Sequence, residues 1–180
     1  MNKMEHLELI IAGFGGQGIL SAGRLLAYAG MLEGKNVSWL PSYGPEMRGG
    51  TANCSVVISE EPVGSPILDT ANVLIVMNGP SLDKFEKVVE PNGIIISDSS
   101  LVEAKPKRTD IDFTGVPASQ LASDMGNQTY ANIIILGKLL AKTGIVSKES
   151  FEAALKKVLP PKKHHMIPDE MKALDLGYNY

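Results

Sequence analysis

Unbroken apolar runs and spaced apolar stripes divide this chain into strands and helices. Leu7-Glu-Leu-Ile-Ile-Ala12 and Val73–Met77 are almost continuously apolar, the pattern of strands buried on both faces of a parallel sheet. Asn53–Ser59 alternates and is rich in β-branched residues, so it reads as a strand, as do Asn36–Leu40, Ile94–Ser97 and Ile111–Val116. Helical spacing appears over 19–33, where Ile19, Leu20, Gly23, Leu26, Ala27 and Gly30 share one face. The small residues on that stripe allow close packing on a sheet, and Gly34 is a C-terminal stop. Shorter helices are predicted over Pro80–Val89 and Ala118–Met125. Tyr130–Lys142 is apolar enough to be a mostly buried helix. Ser147 suits the N-cap of a helix over 148–158, which Pro160-Pro161 ends, and a last short helix begins near Pro168. Glu60–Pro66 and Pro91-Asn92-Gly93 read as turns. The chain opens β-α-β, so the expected fold is α/β. A mostly parallel sheet is flanked by helices, with a helical C-terminal appendage, in a single domain over residues 1–180.

The first strand runs into Gly13-Phe14-Gly15-Gly16-Gln17-Gly18, and a helix follows at once. Gly13, Gly15 and Gly18 fit G-x-G-x-x-G spacing, here in the strand-turn-helix context that gives the pattern meaning. Gly13 permits a tight turn off the strand, Gly15 lets backbone approach a diphosphate, and Gly18 lets the helix pack closely on the sheet. The helix N-terminus offers free N–H groups and a partial positive charge to an anion. A nucleotide-like ligand is therefore expected; a tight glycine turn without a ligand is the plainer alternative.

Composition narrows the field. A formal charge of −3 gives no reason to expect nucleic acid as a partner. The single cysteine, Cys54, excludes an intramolecular disulfide, and it excludes an iron–sulfur cluster or cysteine-rich zinc site held by this chain alone. The N-terminus does not read as a signal peptide, and no apolar run reaches the ~18 residues of a membrane span. A cytoplasmic protein is the default expectation.

Nicotinamide chemistry needs an acidic residue at the end of the second strand to hold the ribose hydroxyls. That position reads Leu40-Pro41-Ser42, without a carboxylate and without an arginine for a 2′-phosphate. No Gly-Lys-Ser/Thr follows the loop, so it is not a Walker A motif either. A stand-alone NAD(P)- or flavin-binding oxidoreductase and an unliganded scaffold stay open as alternatives. The segment after the second strand, Ser42-Tyr43-Gly44-Pro45-Glu46-Met47-Arg48-Gly49-Gly50, lies where ligands bind in open α/β sheets. Arg48 there suits a bidentate contact with a carboxylate or phosphate.

Gly-Phe-Gly-Gly-Gln-Gly at 13–18, taken with Ser-Tyr-Gly-Pro-Glu-Met-Arg-Gly-Gly-Thr at 42–51, resembles the gamma subunit of 2-oxoacid:ferredoxin oxidoreductases. The similarity continues through Asn53–Ile58, Val73–Pro80 and Asn132–Leu140. This resemblance implies a Rossmann-like fold and a multisubunit enzyme that oxidatively decarboxylates a 2-oxoacid with coenzyme A (CoA), giving acyl-CoA, carbon dioxide and reduced ferredoxin. It implies thiamine diphosphate, magnesium and 4Fe-4S clusters in the alpha, beta and delta or ferredoxin-like partner subunits. The lack of a Gly-Asp-Gly motif and of a cysteine set here agrees. The gamma part is expected to pack on the thiamine-binding subunits and to help bind CoA. It is not expected to act alone, and no metal ligand or catalytic residue is assigned to it. The details look closest to the 2-oxoglutarate or branched-chain kind, with 2-oxoglutarate the lean. Candidate cofactor contacts are Gly13, Gly15, Gly16, Gln17, Gly18, Ser42, Tyr43 and Arg48. Asn127-Gln128-Thr129 and Asp98-Ser99-Ser100 could also touch ligand, with helix capping the plainer role for the first trio. Lys162-Lys163-His164-His165 reads as solvated or interface surface, and Cys54 as a small buried hydrophobe.

Overall fold

The computed structural model describes residues 3–42 and 51–180. Its sheet contains β1 (His6–Phe14), β2 (Asn36–Ser42), β3 (Thr51–Ser59), β4 (Ala71–Val76), β5 (Val89–Asp98) and β6 (Asp112–Val116). Around it lie α1 (Ile19–Leu32), α2 (Gly79–Phe85), α3 (Ala118–Asp124), α4 (Ala131–Thr143), α5 (Lys148–Val158) and α6 (Ile167–Asn179). No helix among the described residues is long and apolar enough to cross a membrane.

The strand order is β2-β3-β1-β4-β5-β6. Pairings β1–β4, β4–β5 and β5–β6 are parallel, whereas β3 runs antiparallel to both β1 and β2. So five of the six strands run one way, as expected, in a mixed sheet. The opening β-α-β differs from the simplest reading, because β1 and β2 are parallel but not neighbours. The alternating strand Thr51–Ser59 inserts between them, pairing Leu9 with Val56 on one side and Trp39 with Val56 on the other.

Period-two geometry sorts each strand between two cores. On β1, Leu7, Leu9 and Ile11 face the larger core with α1, α4, α5 and α6, while Ile10 and Ala12 face a smaller one with Leu82 of α2. The near-continuous apolar run of β1 follows, since both faces are covered. Helix α1 lies close on β3 and β2 through its small residues. A Cβ at Gly23 would stand 2.5 Å from Cys54 Sγ, and one at Gly30 would stand 3.0 Å from Ile58 and Val37. The helix ends in a Schellman arrangement, with Gly34 at φ +77° and bonds from Gly34 N–H to Met31 and from Lys35 N–H to Gly30. Pro91-Asn92-Gly93 turns the chain inside one continuous strand, not ahead of it. Register slips there, Ala71 pairing with Val89 but Val73 with Ile94, and Asn92 takes a left-handed φ of 62°.

The C-terminal helices are built into the main core. Ile167, Ala173 and Leu174 of α6 join it. Helix α6 meets α4 backbone to backbone: a Cβ at Gly137 would lie 2.1 Å from Leu174 O, and one at Gly177 only 1.7 Å from Ile134 O. The last helix is thus full length, and not the short one expected from Pro168. Ser147 caps α5, its hydroxyl accepting from Ser150 N–H at 3.1 Å.

Candidate functional site

At the carboxyl end of β1 the chain turns through Gly15 and Gly16 and enters α1 from Gly18. Gly16 and Gly18 adopt left-handed φ of 89° and 73°, conformations that favour glycine. Gln17 braces this turn from inside. Its side-chain oxygen accepts from Phe14 N–H at 2.7 Å, and its amide nitrogen donates to Met77 O at 3.0 Å. That assigns Gln17 a holding role, since its Oε1 and Nε2 are both engaged within the protein. Gly13 is buried, and a Cβ there would lie 2.5 Å from Gln17 Oε1 and 2.9 Å from Met77 Cβ. A Cβ at Gly15 or Gly16 would meet nothing within 4 Å, so the backbone here stands open to an approaching group. Gly18 departs from expectation in one respect. Its missing Cβ makes room for Asn132 of α4, 2.4 Å away, and not for the sheet.

The N-terminus of α1 is uncapped by any side chain, and its first turn carries no acidic residue. Its leading N–H groups therefore have no partner within the helix and aim at the carboxyl edge of the sheet. They open onto a cleft of about 640 Å³, within the range of small-molecule sites. Gly16, Gln17 and Gly18 form one wall and Asn127–Ile133 a second, while α5, α6 and the turn between them close the far side. Apolar positions such as Leu25, Leu155 and Met166 alternate with Ser21, Ser119, Gln128 and Thr129.

The expected residues divide. Gly16, Gln17 and Gly18 line the cleft, Gly13 supports the turn from the strand, and Gly15 projects into open space. Ser42 ends β2, exposed and separated from β1 by β3, and is not a lining residue. Tyr43 and Arg48 lie outside the described residues. Asn127 both caps its turn, accepting from Thr129 N–H at 3.1 Å, and lines the cleft with Gln128 and Thr129. Asp98 is buried and bound into the start of α3 by Ser119 N–H at 3.1 Å and the Ser119 hydroxyl at 2.5 Å. Its carboxylate is a knot in the sheet edge. Lys163 reaches the cleft rim, while His164 Nε2 pairs with Leu159 O at 2.9 Å. Burial pushes the Cys54 thiol up to about 12 against weaker opposing hydrogen bonds from Trp39 and Gly23, so it carries no thiolate at neutral pH. Among the described residues no cluster of three His, Cys, Asp or Glu could hold a metal.

Asn132 and Glu170 are among the lining residues that no motif marks in the sequence. Glu170 had a visible signal: it falls on the helical stripe Ile167, Glu170, Leu174 and Gly177, every member of which is buried.

An open backbone loop after β1, an uncapped helix and a walled cleft mark the carboxyl edge of this α/β fold. The family model described as pyruvate ferredoxin/flavodoxin oxidoreductase matches residues 8–180, and the chain belongs to that family. It is 43% identical over 180 residues to "Ketoisovalerate oxidoreductase subunit VorA" of Methanothermobacter marburgensis, covering 99% of this chain and 37% of that protein. The chain thus spans little more than a third of the length of such VorA relatives, 37% and 36% in two of them. It is 36% identical over 166 residues to "2-oxoglutarate synthase subunit KorC" of Methanocaldococcus jannaschii, covering 89% of each. Among solved structures, the gamma subunit of a keto/oxoacid ferredoxin oxidoreductase from Geobacter sulfurreducens superposes with a TM-score of 0.81 at 30% identity over 96% of both chains. A 2-oxoglutarate:ferredoxin oxidoreductase from Magnetococcus marinus with 2-oxoglutarate, CoA and succinyl-CoA bound shares the fold. There the TM-score is 0.87 at 24% identity, over 98% of this chain and 31% of the other.

Proposed function

We propose that this chain is the gamma component of a 2-oxoacid:ferredoxin oxidoreductase and that its cleft takes CoA. In this reading the enzyme decarboxylates a 2-oxoacid, passes the acyl group to CoA and the electrons to ferredoxin. Thiamine diphosphate and iron–sulfur clusters in alpha and beta subunits, with a delta or ferredoxin-like subunit, supply the carbanion and electron chemistry. The uncapped α1 N-terminus behind an open glycine turn carries the proposal, because it offers fixed N–H donors and a positive dipole end to a diphosphate. Gly15 and Gly16 let the diphosphate come close, Gly18 sets the helix entry, and Gly13 and Gln17 keep the turn in shape. Ser42, at the end of β2, is proposed as a contact together with Tyr43 and Arg48, with Arg48 suited by residue type to a phosphate or a partner carboxylate. Ketoisovalerate and 2-oxoglutarate relatives flank this sequence, and partner subunits are proposed to select the acid.

Co-purification of the native assembly tests this. CoA-dependent ferredoxin reduction should require the chain and one 2-oxoacid, read by profiling 2-oxoglutarate against 3-methyl-2-oxobutanoate. The isolated chain should turn over neither. Full activity from the partners without this chain would refute the reading.

A further inference from the structure

Glu170 is a carboxylate on an otherwise apolar helical stripe. It sits in the first turn of α6 on the buried stripe, only 8% exposed, and among the described residues its carboxylate has neither a hydrogen bond nor an ion pair. Burial pushes its carboxyl above the ordinary glutamate range, and the charge of Lys163 offsets this only in part. The Glu170 carboxylate oxygens are not sealed in the core; they open onto the cleft with their acceptor sites free. Glu170 is a wall of the same cleft whose opposite side is Gly16–Gly18. The same cleft is lined by the apolar Val158, Leu159 and Met166 and by Lys163, whose charge reaches Glu170. A second polar atom is unspent in this cleft: Asn132 donates from Nδ2 to Gly18 O at 3.2 Å, but its buried Oδ1 has no partner.

The cleft is therefore two-ended. Its α1 end presents N–H donors and no carboxylate in the helix's first turn. Its α6 end presents the Glu170 carboxylate with Lys163 near it among apolar side chains, whereas Asn132 lies beside Gly18. An anion belongs at the first end, while the second holds Glu170 with the charge of Lys163 nearby. An N–H donor, uncharged and carried on an apolar arm, belongs at the second.

We propose that Glu170 accepts a hydrogen bond from an N–H group of the cleft ligand, and so fixes the ligand's direction with its diphosphate toward Gly16–Gly18. This rests on the CoA reading above. CoA carries such donors in two places, the amides of its pantetheine arm and the amino group of its adenine.

Calorimetric titration of the full chain, alone and in its native complex, tests the assignment with CoA, ADP and inorganic pyrophosphate as probes. Glu170→Met removes the acceptor at similar length. It should weaken CoA at least about tenfold, the scale of one hydrogen bond to a charged or buried acceptor, and leave pyrophosphate unchanged. Glu170→Gln keeps an acceptor oxygen and should retain most of the affinity. Loss for CoA alone assigns the donor to the amide arm; equal loss for CoA and ADP assigns it to the adenine. Unchanged CoA binding in Glu170→Met overturns this inference and leaves the CoA reading standing. A parallel fall for pyrophosphate overturns it too, because the variant would then have disturbed the whole cleft. Absence of CoA binding by the unaltered protein and its complex overturns both.

Discussion

Two pairs of glycines in this protein do opposite work. Gly15 and Gly16 face empty space, and nothing lies within 4 Å of where a side chain would begin. Gly137 and Gly177 face each other's helices, with carbonyl oxygens 2.1 and 1.7 Å from the missing Cβ. The first pair leaves room for something outside the chain; the second is already filled by the chain itself. Residue type does not separate these uses, since all four are glycines. What separates them is the element each pair sits in. A glycine inside a helix sacrifices about 0.8–1 kcal/mol of helix propensity, so its presence there calls for a close contact. A glycine in a turn carries no such implication and leaves a ligand open.

The largest test of this contrast is Gly177→Ala. The added methyl meets backbone, which cannot rotate away, so α6 must lift from α4. The expected loss is ~3 kcal/mol or more, at the upper end of overpacking costs, read by urea unfolding; a loss below 1 kcal/mol would erase the distinction. Next comes Gly15→Ala, with the reverse profile. Its stability should stay within ~0.5 kcal/mol of the parent, as for surface changes generally. CoA binding, by contrast, should weaken about tenfold or more, equivalent to ~1.4 kcal/mol. A destabilised fold with intact CoA affinity would reassign Gly15 to structure.

The smallest effect belongs to Glu170, which joins the two regions by lying on α6 and facing the cleft. Its carboxyl is raised in the folded state, so the native protein holds that proton more tightly than the unfolded chain does. The resulting contribution is present below the unfolded pKa and lost as pH rises through the folded value. Glu170→Gln should therefore be the more stable protein at pH 8, by ~1 kcal/mol or less, or roughly 2–4 °C in Tm. At pH 3.5 the two melting temperatures should converge. Equal melting temperatures at pH 8 would show that the carboxylate is not strained by burial.

Much of this architecture could be read from the chain because local signals agreed with it. The runs at Leu7–Ala12 and Val73–Met77 are strands covered on both faces, and Gly34 and Ser147 end and start their helices as residue type predicts. The position of β3 was not legible, because alternation marks Thr51–Ser59 as a strand without saying between which neighbours it inserts. Its insertion removes β2 from the side of β1, where a dinucleotide's ribose would look for a carboxylate. The missing acid after Leu40 is thus matched by a topology that sets that strand end one place further from the glycine turn. At the site, the glycine turn was legible from its spacing, but the opposing wall was not. Asn132 and Glu170 come from helices more than a hundred residues later in the chain, and only tertiary packing brings them to Gly18.

The insertion of β3 also bears on how the chain reaches this fold. Both strands that flank β1 are made after it, and the β2–α1–β1 segment has no sheet of its own to complete. As the chain leaves the ribosome, Leu9, Ile10 and Ile11 stay unpaired until residues beyond 50 emerge, an exposed apolar strand of the kind that invites misassociation. Sheet formation must wait for non-local pairing, and such high contact order slows folding. The emerging chain is therefore most exposed to misassociation before β3 is available.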